Sequence, residues 1–112
     1  MISTYRFGII AEYLAVLLLK LKMYRIIAIR YRNHFGEVDI IALKNNLIIF
    51  LEVKARAKDV GYEFVQQKQI MRIRNAASLF LANYPKYQNK DLRIDLIIIA
   101  GVSFPKHLQN IG

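Results

Sequence analysis

Apolar positions recur along this chain with two periods, and the change from one to the other marks out its elements. Over residues 3–22, Leu14, Leu17, Leu18 and Leu21 return at helical spacing, Ser3 or Thr4 can cap the start, and Lys20 and Lys22 lie where cations are favoured. A buried helix is predicted there. Tyr24 to Arg32 is rich in β-branched and aromatic residues and reads as a strand, followed by turn residues from Asn33 to Gly36. Residues 37–43 and 47–54 are two further strand-like runs joined through Lys44-Asn45-Asn46; an Asn-Asn pair tolerates positive φ, so the two form a hairpin. Residues 55–64 read as an irregular basic loop. Helical spacing returns over residues 66–84, where Ile70, Ile73, Ala77, Phe80 and Leu81 share one face, with Lys68, Arg72 and Asn75 elsewhere and Pro85 as the stop. After a polar connection, residues 93–100 form a continuous apolar run expected as a strand buried on both faces. The tail after Gly101 carries no pattern.

Helix, three strands, helix, strand is the order of an α/β protein with a mixed central sheet flanked by helices. At 112 residues and 55% apolar composition there is room for one domain, residues 1–112, and material for its core. No membrane span is expected: Glu12 interrupts the apolar stretch near the N-terminus, and Tyr13 to Leu19 falls far short of the ~20 residues a span requires. Without cysteine there is neither disulfide nor thiolate metal site, which suits a cytoplasmic protein and leaves oxygen or histidine to hold any metal. Seventeen Lys and Arg against eight Asp and Glu, a net charge of +9 spread along the chain, point to a polyanion, and nucleic acid in particular, as partner.

The hairpin concentrates the remaining acid groups. If Asn45 and Asn46 are its two turn residues, Lys44 faces Leu47, and counting outward Asp39 faces Glu52 and Glu37 faces Lys54. Three acids and a lysine are then expected on one side of two otherwise apolar strands. Facing carboxylates repel, and a hard divalent cation such as Mg²⁺ is the natural compensation, with Lys54 placed to stabilise phosphate charge or orient a water. The plainer alternative is a Glu37–Lys54 surface pair with Asp39 and Glu52 in solvent.

Glu37-Val38-Asp39, a spacer of twelve residues and Glu52-Val53-Lys54 resemble the core motif of the PD-(D/E)xK nuclease superfamily, whose restriction-endonuclease-like αβββαβ order the predicted elements match. Val38 stands where the superfamily name has proline. The chain more closely resembles the bacterial YraN-type family UPF0102, itself similar to archaeal Holliday-junction resolvases and RecB-type nucleases. Gly8 with Glu12, the GEVDIIAL and FLEVKAR segments, Lys68 and RIDLIII carry that likeness over nearly the whole chain. The resemblance implies that Asp39 and Glu52 bind Mg²⁺ or Mn²⁺ with the Val53 backbone carbonyl, that Glu12 completes the metal shell, and that Lys54 positions water and stabilises the transition state. Glu37 would be an outer-shell partner. The implied reaction is phosphodiester hydrolysis in DNA rather than RNA, in branched or damaged DNA, by a homodimer able to cut two strands symmetrically.

Arg56, Lys58, Lys68 and Arg72 are candidates for a phosphate track. His34 reads as a solvated turn residue, and His107 suggests function even less. Tyr62 and Phe64 are expected to pack their loop onto the core. Asp95 is expected to pair with a buried donor, Arg93 being the candidate. Three readings compete: a metal-dependent nuclease, a non-catalytic nucleic-acid-binding module, and an interaction protein whose apolar first helix docks a partner or membrane surface.

Overall fold

A computed structural model describes residues 4–56, 66–101 and 104–112. The elements run α1 (Thr4–Leu21), β1 (Arg25–Asn33), β2 (Gly36–Lys44), β3 (Leu47–Arg56), α2 (Gln67–Asn83), a 3-10 turn (Pro85–Tyr87), β4 (Asp91–Ala100) and β5 (Lys106–Leu108). The strands form one mixed sheet in the order β1-β2-β3-β4-β5, antiparallel throughout except for the parallel pair β3–β4. That parallel pair needs a crossover, and α2 lies within it. The result is the expected α/β architecture, a single domain in three layers.

Each face of the sheet is closed by one helix. Ala11, Ala15 and Leu19 of α1 pack on Ile40, Ala42, Ile49, Leu51 and Ile97. Ile70, Ile73, Ala77 and Phe80 of α2 pack on Ile41, Ile48, Phe50 and Ile94 on the other side. Ile94 to Ala100 are all buried, as the unbroken apolar run of β4 predicts. The face that α1 presents is a correction to the sequence reading. Leu14, Leu17 and Leu21 are 42%, 54% and 73% exposed, whereas the buried stripe is Ala11, Ala15 and Leu19. A helix apolar nearly all round leaves its spacing unable to select a face, and the small alanines win because they admit the helix backbone closest to the sheet.

Two short elements escape the pattern, the 3-10 turn and β5. The proposed cap Ser3, the loop residues Lys58, Tyr62 and Phe64, and the rest of 57–65 lie outside the described residues. No helix among those described is long and apolar enough to cross a membrane.

The β1–β2 turn is fixed against α2. The Asn33 side chain accepts the N–H groups of Phe35 and Gly36 and donates to the Ala76 carbonyl at 3.1 Å. A Cβ on Gly36 would sit 2.1 Å from the Arg72 carbonyl oxygen, so only glycine permits this approach. The contact sets where the start of β2, with its acids, meets α2.

Candidate functional site

The hairpin turns where the sequence places it. Asn45 has φ 55°, and the register runs from Lys44↔Leu47 to Ile40↔Leu51. There the backbone pairing of β2 with β3 ends, one position short of Asp39 and Glu52. The two acids are therefore neighbours at a fork, not ladder partners as expected. Asp39 itself explains the departure, since its Oδ2 accepts the Val53 N–H at 2.7 Å. A side chain takes a donor on the neighbouring strand just beyond the end of the pairing, and its carboxylate lies between the strands.

The same position is irregular on the other flank. Between β1 and β2, Ile29 pairs with Ile40 and Tyr31 with Val38, but the intervening Arg30 and Asp39 are not paired. Arg30 adopts φ 56°. Val38 and Ile41, three residues apart, both pack in the α2-side core, as do Ala28 and Tyr31. Strict in–out alternation is thus broken at Arg30 and Asp39, which is why counting along the strands does not give the direction of the Asp39 side chain.

Glu52 faces α2. Its Oε1 accepts from Gln69 Nε2 at 2.7 Å and lies 3.7 Å from Lys54 Nζ, with both charged side chains largely buried at 14% and 22% exposure. Burial, followed by the charge of Asp39, pushes the Glu52 carboxyl up to about 7, against the pull of Lys54. Asp39 is raised as well: burial dominates, the Val53 N–H offsets it in part, and the charges of Glu12 and Glu37 add to the rise.

Glu12 and Glu37 sit farther out. Glu12 on α1 accepts from Arg30 Nε at 2.6 Å. With Arg30, Arg32, Glu37 and Asp39 it lines a cleft of ≈ 460 Å³ between α1 and the outer strands. Glu37 does not meet Lys54, contrary to the counted register; it pairs with Arg72 of α2 at 2.9 Å and Arg32 at 3.4 Å. The reason is the fork, beyond which β2 leans on α2 through Gly36 and no longer runs beside β3. The surface pair of the plainer alternative is absent for the same reason, and Asp39 and Glu52 are not in solvent.

Of the candidate basic residues, Arg56 is half-buried at the end of β3, and Lys68 is exposed in the first turn of α2. Arg72 is exposed but engaged with Glu37. Lys58 lies outside the described residues.

Among the described residues no three Asp, Glu or His groups lie close enough to form a ready-made metal site. Each acid is held by a protein partner: Asp39 by Val53, Glu52 by Gln69 and Lys54, Glu12 by Arg30. The donor chemistry nevertheless suits a hard divalent cation. All the donors are oxygen, and the two half-buried carboxyls, raised first by burial and further by neighbouring carboxylate charge, remain raised despite the opposing charge of Lys54.

A second polar cluster lies on the α1 face. Asp95 is fully buried; it accepts from Arg93 Nε and Nη2, each at 2.9 Å, as expected, and also from the Asn110 N–H at 2.9 Å. His107 Nε2 is 2.8 Å from Asp95 Oδ2, its Nδ1 meets Lys22 Nζ, and Arg93 Nη2 donates to the Tyr24 hydroxyl at 2.6 Å. Burial raises the Asp95 carboxyl, but the hydrogen bonds from His107, Arg93 and Asn110 outweigh it and leave the carboxyl below its ordinary value. The sequence reading missed His107, whose side chain is 5% exposed. The one available signal was that a buried carboxylate needs more donors than a single arginine supplies. His34 is exposed, as a turn residue should be.

Fold and site together define a small mixed-sheet α/β protein that carries a half-buried acid pair and a lysine on adjacent strands. The chain belongs to the uncharacterised protein family UPF0102, whose sequence model matches residues 11–99. It is 45% identical over 109 residues to a UPF0102 protein of Rhodopseudomonas palustris strain BisA53, covering 96% of this chain and 83% of that one. A UPF0102 protein of Parvibaculum lavamentivorans is 39% identical over 110 residues, covering 97% of this chain and 83% of that one.

Proposed function

We propose that this domain is a metal-dependent nuclease that hydrolyses phosphodiester bonds in DNA, branched or damaged DNA being the favoured substrate. The observation that carries the reading is the half-buried pair Asp39 and Glu52 beside Lys54, whose ammonium lies 3.7 Å from Glu52, with burial pushing the Glu52 carboxyl up to about 7. Such an arrangement costs stability in the isolated protein, and strongly perturbed acids in a polar fork mark functional sites. Asp39 and Glu52, with the Val53 carbonyl and Glu12, are the groups that would hold Mg²⁺ or Mn²⁺. When bound, the cation supplies charge neutralisation at the scissile phosphate.

The remaining chemistry belongs to the chain. Lys54, held 3.7 Å from Glu52, carries an ammonium whose charge suits the extra negative charge that develops on phosphorus-bound oxygen. It also gives an attacking water a donor to lie against. Water adds across the phosphorus–oxygen bond and the leaving oxygen departs protonated. Arg56, Lys68 and Arg72, together with Lys58, contribute the sequence-independent phosphate contacts that a net charge of +9 favours. A cytoplasmic homodimer belongs to the same reading, because cutting both strands symmetrically takes two such sites.

A second reading, a non-catalytic nucleic-acid-binding module, is favoured by one observation: every acid of the site already has a protein partner. Linear, flapped and branched DNA incubated with Mg²⁺, Mn²⁺ or EDTA separates the two. The nuclease reading expects cation-dependent cutting that disappears in Asp39→Ala, Glu52→Ala and Lys54→Ala. A folded protein that binds these DNAs and cuts none with either cation supports the binding module.

A further inference from the structure

Arg30 combines three features that an ordinary surface arginine lacks. Its backbone is left-handed at φ 56°, a conformation that costs a non-glycine residue about 1 kcal/mol or more. It stands where the pairing of β1 with β2 skips Asp39. Its Nε lies 2.6 Å from Glu12 Oε1, and that carboxylate is only 21% exposed. Arg30, Glu12 and Asp39 line the same cleft. The backbone distortion is therefore tied to a contact that reaches from the sheet edge to the one acid that α1 contributes to the site.

We infer that Arg30 is the protein's own cation for Glu12, holding in the metal-free protein the carboxylate that a divalent ion at Asp39 and Glu52 must draw away. This rests on the proposed reading that those two acids bind the ion. It also accounts for the lack of a ready-made three-carboxylate site among the described residues. Arg30 is then a positioning residue, and metal affinity is set by an exchange: Glu12 leaves the guanidinium for the ion, and Arg30 remains on the wall of the cleft beside Arg32, a position suited to a substrate phosphate. An ion pair that must be broken for a ligand to bind weakens that ligand by the free energy of the pair.

Calorimetric titration of the full chain with Mn²⁺ alone tests this without any turnover, using wild type, Arg30→Gln, Glu12→Gln and the double variant, each shown to be folded by thermal melting. The expected result is that Arg30→Gln binds Mn²⁺ roughly fivefold more tightly, the factor that corresponds to a partly exposed ion pair of about 1 kcal/mol. That gain should vanish in the Glu12→Gln background. Arg30→Lys keeps the charge and should stay within about twofold of wild type; should Arg30→Gln fail to fold, Arg30→Met in the same cycle takes its place. Unchanged or weaker binding in Arg30→Gln overturns the inference, and so does an equal gain with Glu12 removed, which would mean only long-range repulsion. If wild type binds no Mn²⁺ that Asp39→Asn abolishes, the proposed function fails first. If it does and Arg30→Gln changes nothing, this inference fails alone.

Discussion

The carboxylate of Asp39 and the backbone N–H of Val53, 2.7 Å apart, join β2 to β3 just past the last backbone pairing of their hairpin. Asp39 thus has two roles with different chemical demands, an acceptor for the fold and a charge for the site. Asparagine meets the first demand and alanine neither. Asp39→Asn is expected to fold with stability within about 1 kcal/mol of wild type, while Asp39→Ala, which leaves the Val53 N–H without its acceptor, loses about 1–3 kcal/mol. Cation-dependent cleavage should be lost in both. Urea denaturation alongside the cleavage assay checks the split.

The raised acids give the metal-free protein a stability that falls with pH. Glu52 ionises near the ordinary glutamate value of 4.5 when unfolded, and in the folded protein burial pushes it up to about 7. Between those values the native state holds more protons than the unfolded one, so unfolding free energy declines as pH rises through the window; below it the group contributes no slope. At about 1.4 kcal/mol per unit, the loss attributable to this group is up to roughly 3 kcal/mol by pH 8. Glu52→Gln should flatten the profile, and Mg²⁺ should restore wild-type stability at pH 8. Thermal melts from pH 4 to 8 with and without the ion measure both.

Gly36 brings the turn close against the α2 backbone. A Cβ there would meet the Arg72 carbonyl oxygen at 2.1 Å, with helix backbone that cannot yield without moving α2. Gly36→Ala is expected to cost about 2 kcal/mol or more and to lower the melting temperature by on the order of 10 °C. The Glu37–Arg72 pair, which depends on the same spacing, should loosen with it.

Much of this fold is written in the sequence because periods of two and of about three and a half distinguish strands from helices, and because Asn45 and Asn46 announce the turn that sets the register through Ile40↔Leu51. What escapes depends on contacts that no spacing encodes. The fork at Asp39 arises from one side chain bonding a neighbouring backbone, so the convergence of acids on β2 and β3 was legible but the orientation of Asp39 was not. Glu37 turns to Arg72 because of the clearance at Gly36, a property of helix–turn packing. The buried face of α1 was obscured by leucines on its other sides. β5 spans three residues, Lys106–Leu108, too few for any period, and with it went the burial of His107.

The Asp95 cluster ties that short strand to the sheet, which makes it a stability element distinct from the acid fork. Asp95→Ala would leave Arg93 and His107 without their shared carboxylate in a buried setting, at an expected cost of about 3–5 kcal/mol. His107→Ala removes one hydrogen bond of that set and should cost about 1–3 kcal/mol. Cleavage by either variant, measured well below its melting temperature, should remain within a few-fold of wild type.

The central claim is that Asp39, Glu52 and Lys54 act together in phosphodiester hydrolysis, and Lys54→Ala tests it most directly because it separates chemistry from ion binding. Single-turnover cleavage of a branched DNA by wild type and Lys54→Ala, at Mn²⁺ concentrations matched for occupancy, is the measurement. The account predicts that the variant holds the ion and cuts at least about a hundredfold more slowly, the scale of losing one charge-stabilising donor. Cutting by Lys54→Ala within threefold of wild type, or no cutting by wild type with its ion bound, would contradict it.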